Sequence, residues 1–200
     1  MSASSTRPTP PVAAVIGWPI SHSKSPVIHG FWLEALGIDG HYARFPVAPE
    51  GLQTAVRALP ALGLRGVNVT IPHKTAVMEA LDEITPEARA IGAVNTVVVT
   101  AEGRLVGYNT DVTGFAEPLR GAALAGRPAC VVGAGGAARA VLAALKNLGV
   151  SEVRIINRSQ DKAQALLAEF GLPGAVYGFE AAAQALGSAA LVVNTSSLGM

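Results

Sequence analysis

The sequence predicts an α/β protein in two successive parts, a mixed and mostly parallel α/β domain followed by a second parallel α/β domain with fewer strands than such a fold usually has. Three observations lead there. From Val12 onward, short β-type runs alternate with helical patterns. Near the middle, Gly126-Arg127-Pro128 interrupts the alternation with turn-forming residues and marks a seam. Beyond the seam an apolar run leads directly into a glycine-rich turn and an alanine-rich helical stretch.

Taken in order, Val12 to Gly17 is the first strand, short, apolar and closed by glycine. Ser25-Pro26 combines a capping residue with proline at a first helical position, so a helix is expected from there to about Gly37. His41 to Val47 reads as a strand, Pro49 to Leu62 as an amphipathic helix ending near Gly63, and Arg65 to Thr70 as a third strand. Pro72 to Ala80 and Pro86 to Ile91 each carry proline near a first turn and are expected to be helical. Asn95 to Thr100 and Arg104 to Tyr108 flank Ala101-Glu102-Gly103, the spacing of a hairpin whose glycine takes positive φ. A helix from about Asp111 to Leu124 reaches the seam. After it come a strand (Ala129 to Val132), a helix (Gly136 to Leu148), a strand (Glu152 to Asn157) and a helix (Ser159 to Phe170). A weaker strand near Val176, a helix over Phe179 to Leu186 and a strand from Ala190 to Asn194 continue the pattern.

Half of the 200 residues are hydrophobic and 14% are charged, a composition that supplies buried cores and does not suit a disordered chain. Fifteen Lys and Arg against fourteen Asp and Glu give a net charge of +1 without any basic run, so nucleic acid is excluded as a partner. The single cysteine, Cys130, lies in an apolar stretch and reads as a buried small hydrophobe; one cysteine makes neither a disulfide framework nor a cysteine zinc site. The histidines have no metal-ligand spacing, and His22, His41 and His73 read as structural or surface residues, so no metal is expected. No apolar run reaches the roughly 18 residues of a membrane span, and the opening Ser-, Thr- and Pro-rich residues lack a secretory apolar core. A cytoplasmic protein without a membrane partner is expected.

Gly133-Ala134-Gly135-Gly136-Ala137-Ala138 sits between a strand and a helix, the context in which a GxGxxG/A pattern carries chemical meaning. The first glycine permits a tight turn, the second lets the backbone approach a pyrophosphate, and a small third residue packs the helix on the strand. The anion then rests on free N–H groups at the helix start. The bland alternative is a turn that packs a helix on a sheet without ligand. The next strand ends in Asn157-Arg158-Ser159, at the place where an acid would receive a ribose hydroxyl. Arg158 offers a planar cation suited to a 2′-phosphate, with Ser159 and Lys162 in support, so NADP is favoured over NAD. The second domain is therefore read as a Rossmann-type dinucleotide-binding domain over residues 111–200, truncated after its first half, and the first as a domain over residues 12–110.

That first domain carries polar clusters at predicted strand ends: Gly17-Trp18-Pro19-Ile20-Ser21-His22-Ser23-Lys24-Ser25-Pro26, then Asn68-Val69-Thr70-Ile71-Pro72-His73-Lys74. Gly92-Ala93-Val94-Asn95-Thr96 and Tyr108-Asn109-Thr110-Asp111 follow. Ligands of open α/β sheets bind at such carboxyl ends. In this order, and with the glycine loop and Asn-Arg-Ser, the motifs resemble the shikimate dehydrogenase family over nearly the whole chain from Val12 to Met200. The resemblance implies an oxidoreductase of the shikimate pathway, leading to chorismate and aromatic amino acids. It would reduce 3-dehydroshikimate to shikimate reversibly with NADPH, as a monomer or homodimer. It also implies that Ser23 and Ser25 hold the substrate carboxylate, that Thr70, Lys74, Asn95 and Asp111 meet ring hydroxyls, and that Thr110 supports them. Lys74 is then the proton donor or acceptor and Asp111 binds and orients; the plain alternative is a structural ion pair. On the cofactor side the implied contacts are Gly133, Ala134, Gly135, Gly136, Ala137, Asn157, Arg158, Ser159 and Lys162.

The chain departs from the family pattern at Gly30, where a polar residue is usual, and at Ser159, where many members carry Thr. The family also continues beyond the segment ending at Met200, completing the cofactor sheet and returning a helix with a Gln to the first domain, so a fragment is expected here. Two rival functions differ in class. A quinate/shikimate dehydrogenase using NAD would have an acid in place of Arg158. A non-catalytic pathway-sensing module would have lost Lys74 or Asp111.

Overall fold

The computed structural model describes residues 9–196. The chain forms two compact units: the first runs to Arg89 and takes in Val94–Tyr108, and the second comprises Ala90–Ala93 and everything from Asn109 on. The backbone therefore passes from one unit to the other three times.

The first unit holds six strands: β1 (Val12–Gly17), β2 (His41–Pro46), β3 (Leu64–Val69), β4 (Glu83–Ile84), β5 (Thr96–Val99) and β6 (Leu105–Tyr108). They lie in the order β2-β1-β3-β5-β6-β4. β1 runs parallel to β2 and β3, β5 is antiparallel to β3 and β6, and β4 is parallel to β6. The mixed sheet follows from connection length, since only the β5–β6 link is a tight hairpin. There Gly103 takes φ +77° as expected and donates to Thr100 O at 3.0 Å. Period-2 alternation separates the two faces. Ala14, Ile16, Val67, Val69 and Val97 turn to one side and are buried with Leu52, Val56, Leu59 and Val77. Ala13, Tyr42, Gly66, Asn68 and Thr96 line an open cavity of about 310 Å³ together with His29 and Leu33 of α1 (Ser25–Ala35).

Several expected helices are shorter than their patterns. Ser25 is the first residue of α1 and Lys24 occupies the cap position; Ser23 supplies the cap-like contact, its Oγ accepting the Ser25 N–H at 3.3 Å. The stretch expected as one helix over Pro49 to Leu62 is a 3₁₀ turn at Pro49–Gly51, then α2 (Leu52–Arg57), then turns. Pro60 has no N–H to donate and disfavours helical backbone at the residue before it, which ends α2 early. Only Ala76–Ala80 of the segment expected from Pro72 is helical, as a 3₁₀ turn, because His73 N–H turns back to Thr70 O at 2.9 Å. α3 (Pro86–Ile91) matches its expected bounds.

The strand β4 has only two residues, too few for a pattern, and is held by Asp82 beside it. Asp82 N–H donates to Leu105 O at 3.0 Å, and Leu105 N–H returns to Asp82 Oδ2 at 2.8 Å. Arg57 pairs with the same carboxylate at 2.5 Å. The Leu105 amide and the Arg57 guanidinium hold the Asp82 carboxyl below its ordinary range. A depressed folded-state pKa contributes stability that is present above the unfolded value and is lost as pH falls through the folded one. Asp82→Asn should therefore melt below the parent at about pH 7, with the gap narrowing as pH falls below the ordinary carboxylate range. Thermal melts across that range check this; a gap of constant size would remove the electrostatic account.

The second unit contains α4 (Asp111–Ala116), which ends at the 3₁₀ turn Glu117–Leu119 instead of continuing to Leu124. Pro118 interrupts it. A four-stranded parallel sheet follows in the order β10-β7-β8-β9, with β7 Pro128–Val132, β8 Glu152–Ile156, β9 Gly174–Tyr177 and β10 Leu191–Asn194. The crossovers are α5 (Gly136–Asn147), α6 (Gln160–Phe170) and α7 (Ala182–Leu186). α5 buries Ala138, Val141, Leu142 and Leu145, the i, i+3, i+4, i+7 stripe of a core-facing helix, and α6 buries Ala163, Leu166, Leu167 and Phe170 likewise. Gly171 ends α6 in the left-handed conformation at φ +59°. Cys130 on β7 is fully buried, and burial pushes its thiol pKa up, as expected of a cysteine used as a small hydrophobe.

Ala90–Ala93 packs within this second unit. Arg139 of α5 donates through Nε to Ile91 O at 2.6 Å, and Asn109 Nδ2 donates to Ala93 O at 2.9 Å. Between them Gly92 takes φ +66°, a backbone angle that favours glycine, and a Cβ there would displace the Arg139 guanidinium. Among the described residues no helix is long and apolar enough to cross a membrane.

Candidate functional site

In the first unit the candidate residues gather where β1 and β3 end. Gly17 closes β1; a side chain there would approach Thr70 Cγ2 to 2.6 Å, so glycine lets Thr70 pass close by, with its N–H on Ile16 O at 3.0 Å. The serine turn follows β1. Ser23 Oγ donates to Ser25 Oγ at 3.2 Å, and Arg44 of β2 reaches the carbonyls of Ser21 and Ser23. The exposed guanidinium thus shapes the turn from outside.

Lys74 is half-buried and its backbone is fixed from both sides. Its carbonyl accepts Val94 N–H at 2.7 Å. The preceding His73 is buried and donates through Nε2 to Val47 O at 2.7 Å, while Val47 N–H bonds Gly17 O at 3.1 Å. His73 therefore has the structural place expected of it. Asn95 is buried on the next segment, with its N–H on Tyr108 O at 3.0 Å and its carbonyl accepting Val69 N–H at 2.8 Å. The structure thus brings Thr70, Lys74 and Asn95 onto neighbouring backbone segments.

Tyr42 links the serine turn to this group. Its hydroxyl bonds Asn68 Oδ1 at 2.6 Å and meets the Ser25 hydroxyl, and its ring stacks on His29 at 3.9 Å. Burial pushes the Tyr42 pKa up to about 12, against the opposing effect of the Ser25 bond, so the phenol keeps its proton. Tyr42 and Arg44 were not singled out by sequence reasoning, and Thr96 stood in a motif without a role of its own. The only signal was alternation, which puts Tyr42 and Arg44 on one face of β2 and Asn68 opposite Thr96 in register.

Thr110 and Asp111 belong to the second unit. Thr110 stands at the start of α4 and Asp111 is its first residue, with N–H bonded to Asn109 Oδ1 at 3.0 Å.

The glycine loop has the geometry its spacing implies. Gly133 takes φ +102°, and a Cβ there would lie 2.8 Å from Thr195 Oγ1, which itself donates to Val132 O at 2.8 Å. Ala134 is buried. Gly135 is exposed and extended at the start of α5, and no atom lies within 4 Å of the space its side chain would take. No side chain caps α5 and no acid stands in its first turn, so Gly136 and Ala137 begin a helix whose first N–H groups suit an anion. Ala138 is fully buried, and a larger residue would cost about 1–3 kcal/mol in overpacking.

At the end of β8, Asn157 Nδ2 donates to Ser159 O at 2.7 Å and sets the loop that carries Arg158. Arg158, Ser159 and Lys162 are exposed, and Ser159 caps α6 by position without a side-chain bond. Among the described residues neither Arg158 nor Lys162 is held in an ion pair. Asp161, which belongs to no motif in the sequence, adds one opposing charge in the same turn. The donor set fits a dinucleotide carrying an extra phosphate. No group of His, Cys, Asp or Glu among the described residues could hold a metal ion.

Comparison with known proteins places this geometry. Residues 15–97 match the family model described as shikimate dehydrogenase substrate binding domain, and residues 116–198 match shikimate / quinate 5-dehydrogenase. The chain is 54% identical over 193 residues to the shikimate dehydrogenase (NADP(+)) of Paramagnetospirillum magneticum, covering 94% of this chain and 70% of that protein. The Aquifex aeolicus shikimate dehydrogenase structure superposes with a TM-score of 0.84 at 35% identity, over 96% of this chain and 71% of that one. The Thermus thermophilus shikimate 5-dehydrogenase structure, in complex with NADP(H) and shikimate, gives 0.79 at 43% identity, over 93% and 68%. With both halves matched and more than two thirds of each relative covered, the chain belongs to the shikimate dehydrogenase family.

Proposed function

We propose that this chain carries out the reversible NADP-dependent interconversion of shikimate and 3-dehydroshikimate. NADP, when bound, supplies or accepts the hydride. Oxidising a ring alcohol to a ketone also releases the hydroxyl proton, and Lys74 is the group assigned to take it, returning it in the reverse direction. Asp111 binds and orients. Ser23 and Ser25 present hydroxyl donors to the substrate carboxylate, while Thr70, Asn95 and Thr110 meet or support the ring hydroxyls. Gly133, Ala134, Gly135, Gly136 and Ala137 cradle the pyrophosphate, and Asn157, Arg158, Ser159 and Lys162 form the 2′-phosphate pocket.

One observation carries the cofactor side of this reading: the glycine turn and Arg158 follow the carboxyl ends of two adjacent parallel strands, β7 and β8. That is where an open α/β sheet takes its nucleotide. The reading includes a cytoplasmic enzyme, monomeric or homodimeric; a lone buried cysteine suits a reducing compartment. The test is shikimate-dependent reduction of NADP by the chain as translated to its stop codon, with NAD and with quinate in parallel. Activity confined to shikimate and NADP is expected. Equal turnover of quinate with NAD would move the assignment to the quinate/shikimate class, and binding of NADP without turnover of either would leave a sensing module.

A further inference from the structure

Three polar side chains on the cavity face of the first sheet, Tyr42, Asn68 and Thr96, form a continuous hydrogen-bonded row with Asn95, the residue before Thr96. Tyr42 OH lies 2.6 Å from Asn68 Oδ1, Asn68 Nδ2 lies 3.1 Å from Thr96 Oγ1, and Thr96 Oγ1 lies 3.0 Å from Asn95 Oδ1. The row crosses β1 because the position between is small: Tyr42 is paired with Ala13, which in turn faces Gly66, and the tyrosine ring extends over both toward Asn68 two residues on. Thr96 stands directly opposite Asn68 in the antiparallel register.

The row has a direction. Run backwards, with both amides reversed, its first link would be an N–H donating to a phenol oxygen, for which distances centre near about 2.9–3.0 Å. At 2.6 Å the link is in the shorter O–H···O class, so Tyr42 donates and Asn68 accepts. With Oδ1 of Asn68 engaged, its amide turns NH₂ to Thr96. A threonine hydroxyl has a single proton, and with its oxygen already accepting from Asn68 it gives that proton to Asn95 Oδ1.

We propose that Thr96 is a positioning residue, the central link of a one-way relay from Tyr42 through Asn68 and Thr96 to Asn95, which fixes the Asn95 amide with its NH₂ end toward the ligand. The inference rests on the reading that Asn95 meets the substrate. Its chemical consequence is specific. An NH₂ group donates to the lone pairs of a ligand oxygen, so the fixed amide presents a donor to the ring oxygen it meets. An amide turned the other way could hold only the hydroxyl.

The experiment compares kcat/KM for shikimate, with KM for NADP and melting temperature measured beside it. Thr96→Val removes the hydroxyl at constant shape and should lower kcat/KM for shikimate roughly tenfold, with KM for NADP unchanged. Thr96→Ser should restore it to within about threefold, and Tyr42→Phe should show a smaller loss in the same parameter. Because Thr96 acts only through Asn95, Thr96→Val on an Asn95→Ala background should add nothing. Asn95→Asp, which puts an acceptor where the relay puts a donor, should be at least as impaired as Asn95→Ala. Parent-level activity in Thr96→Val, full additivity in the double variant, or retained activity in Asn95→Asp would each overturn the relay. An unimpaired Asn95→Ala would instead remove the substrate reading beneath it.

Discussion

Lys74→Ala should slow shikimate oxidation by roughly 10²- to 10⁴-fold, the range for a lost general acid–base group, while NADP binds nearly as well as to the parent. The expectation comes from how much of the first unit serves that one backbone position. Val94 N–H holds the Lys74 carbonyl, and buried His73 ties the preceding residue to Val47. A surface lysine in a structural ion pair needs no such fixing, and losing one changes stability by about 1 kcal/mol or less with no effect on turnover. Steady-state rates with shikimate, and NADP titration of the same variant, separate the two. Lys74→Arg should not rescue, because a guanidinium neither gives up a proton at neutral pH nor fits the space of an ammonium. Parent-level turnover in Lys74→Ala would mean that the proton moves elsewhere.

Arg158→Ala carries the second large effect: KM for NADP should rise about 10- to 100-fold with KM for NAD little changed. The figure corresponds to losing hydrogen bonds to a charged group, about 1.5–3 kcal/mol. Arg158 is exposed, so the loss should shrink as salt is added. Arg158→Asp should go further, adding repulsion of the 2′-phosphate beside Asp161 and offering a ribose hydroxyl an acceptor. The ratio of kcat/KM for the two cofactors measures this directly. If both cofactors weaken equally, Arg158 shapes the loop and does not read the phosphate.

Much of this architecture was legible in the residues, for physical reasons that differ by element. Strand β7 of the second unit is a continuous apolar run, buried on both faces and bounded by turn residues, and α5 and α6 show clean helical stripes. The elements misjudged were those where a local break outweighs periodicity, at Pro60, at Pro118 and in the turn around His73. β4 escaped because two residues have no period and its strand character comes from Asp82 and Leu105, 23 residues apart in sequence. At the site, residues in motifs with a chemical signature were legible, whereas Tyr42 and Arg44 were not, and Thr96 stood in a motif without a role of its own. Their roles arise from register across three strands, which a linear sequence does not display.

The assignment of Ala90–Ala93 to the second unit bears on how homologous genes could be recombined. A chimera joined at Tyr108 and Asn109 would take Ile91, Gly92 and Ala93 from one parent and their partners Arg139 and Asn109 from the other. Any parent with a side chain at the position of Gly92 would strain the backbone at its positive φ and have to displace the guanidinium of its new companion. Compatibility between parents at this interrupted stretch, more than similarity at the junction, would decide which hybrid sequences fold.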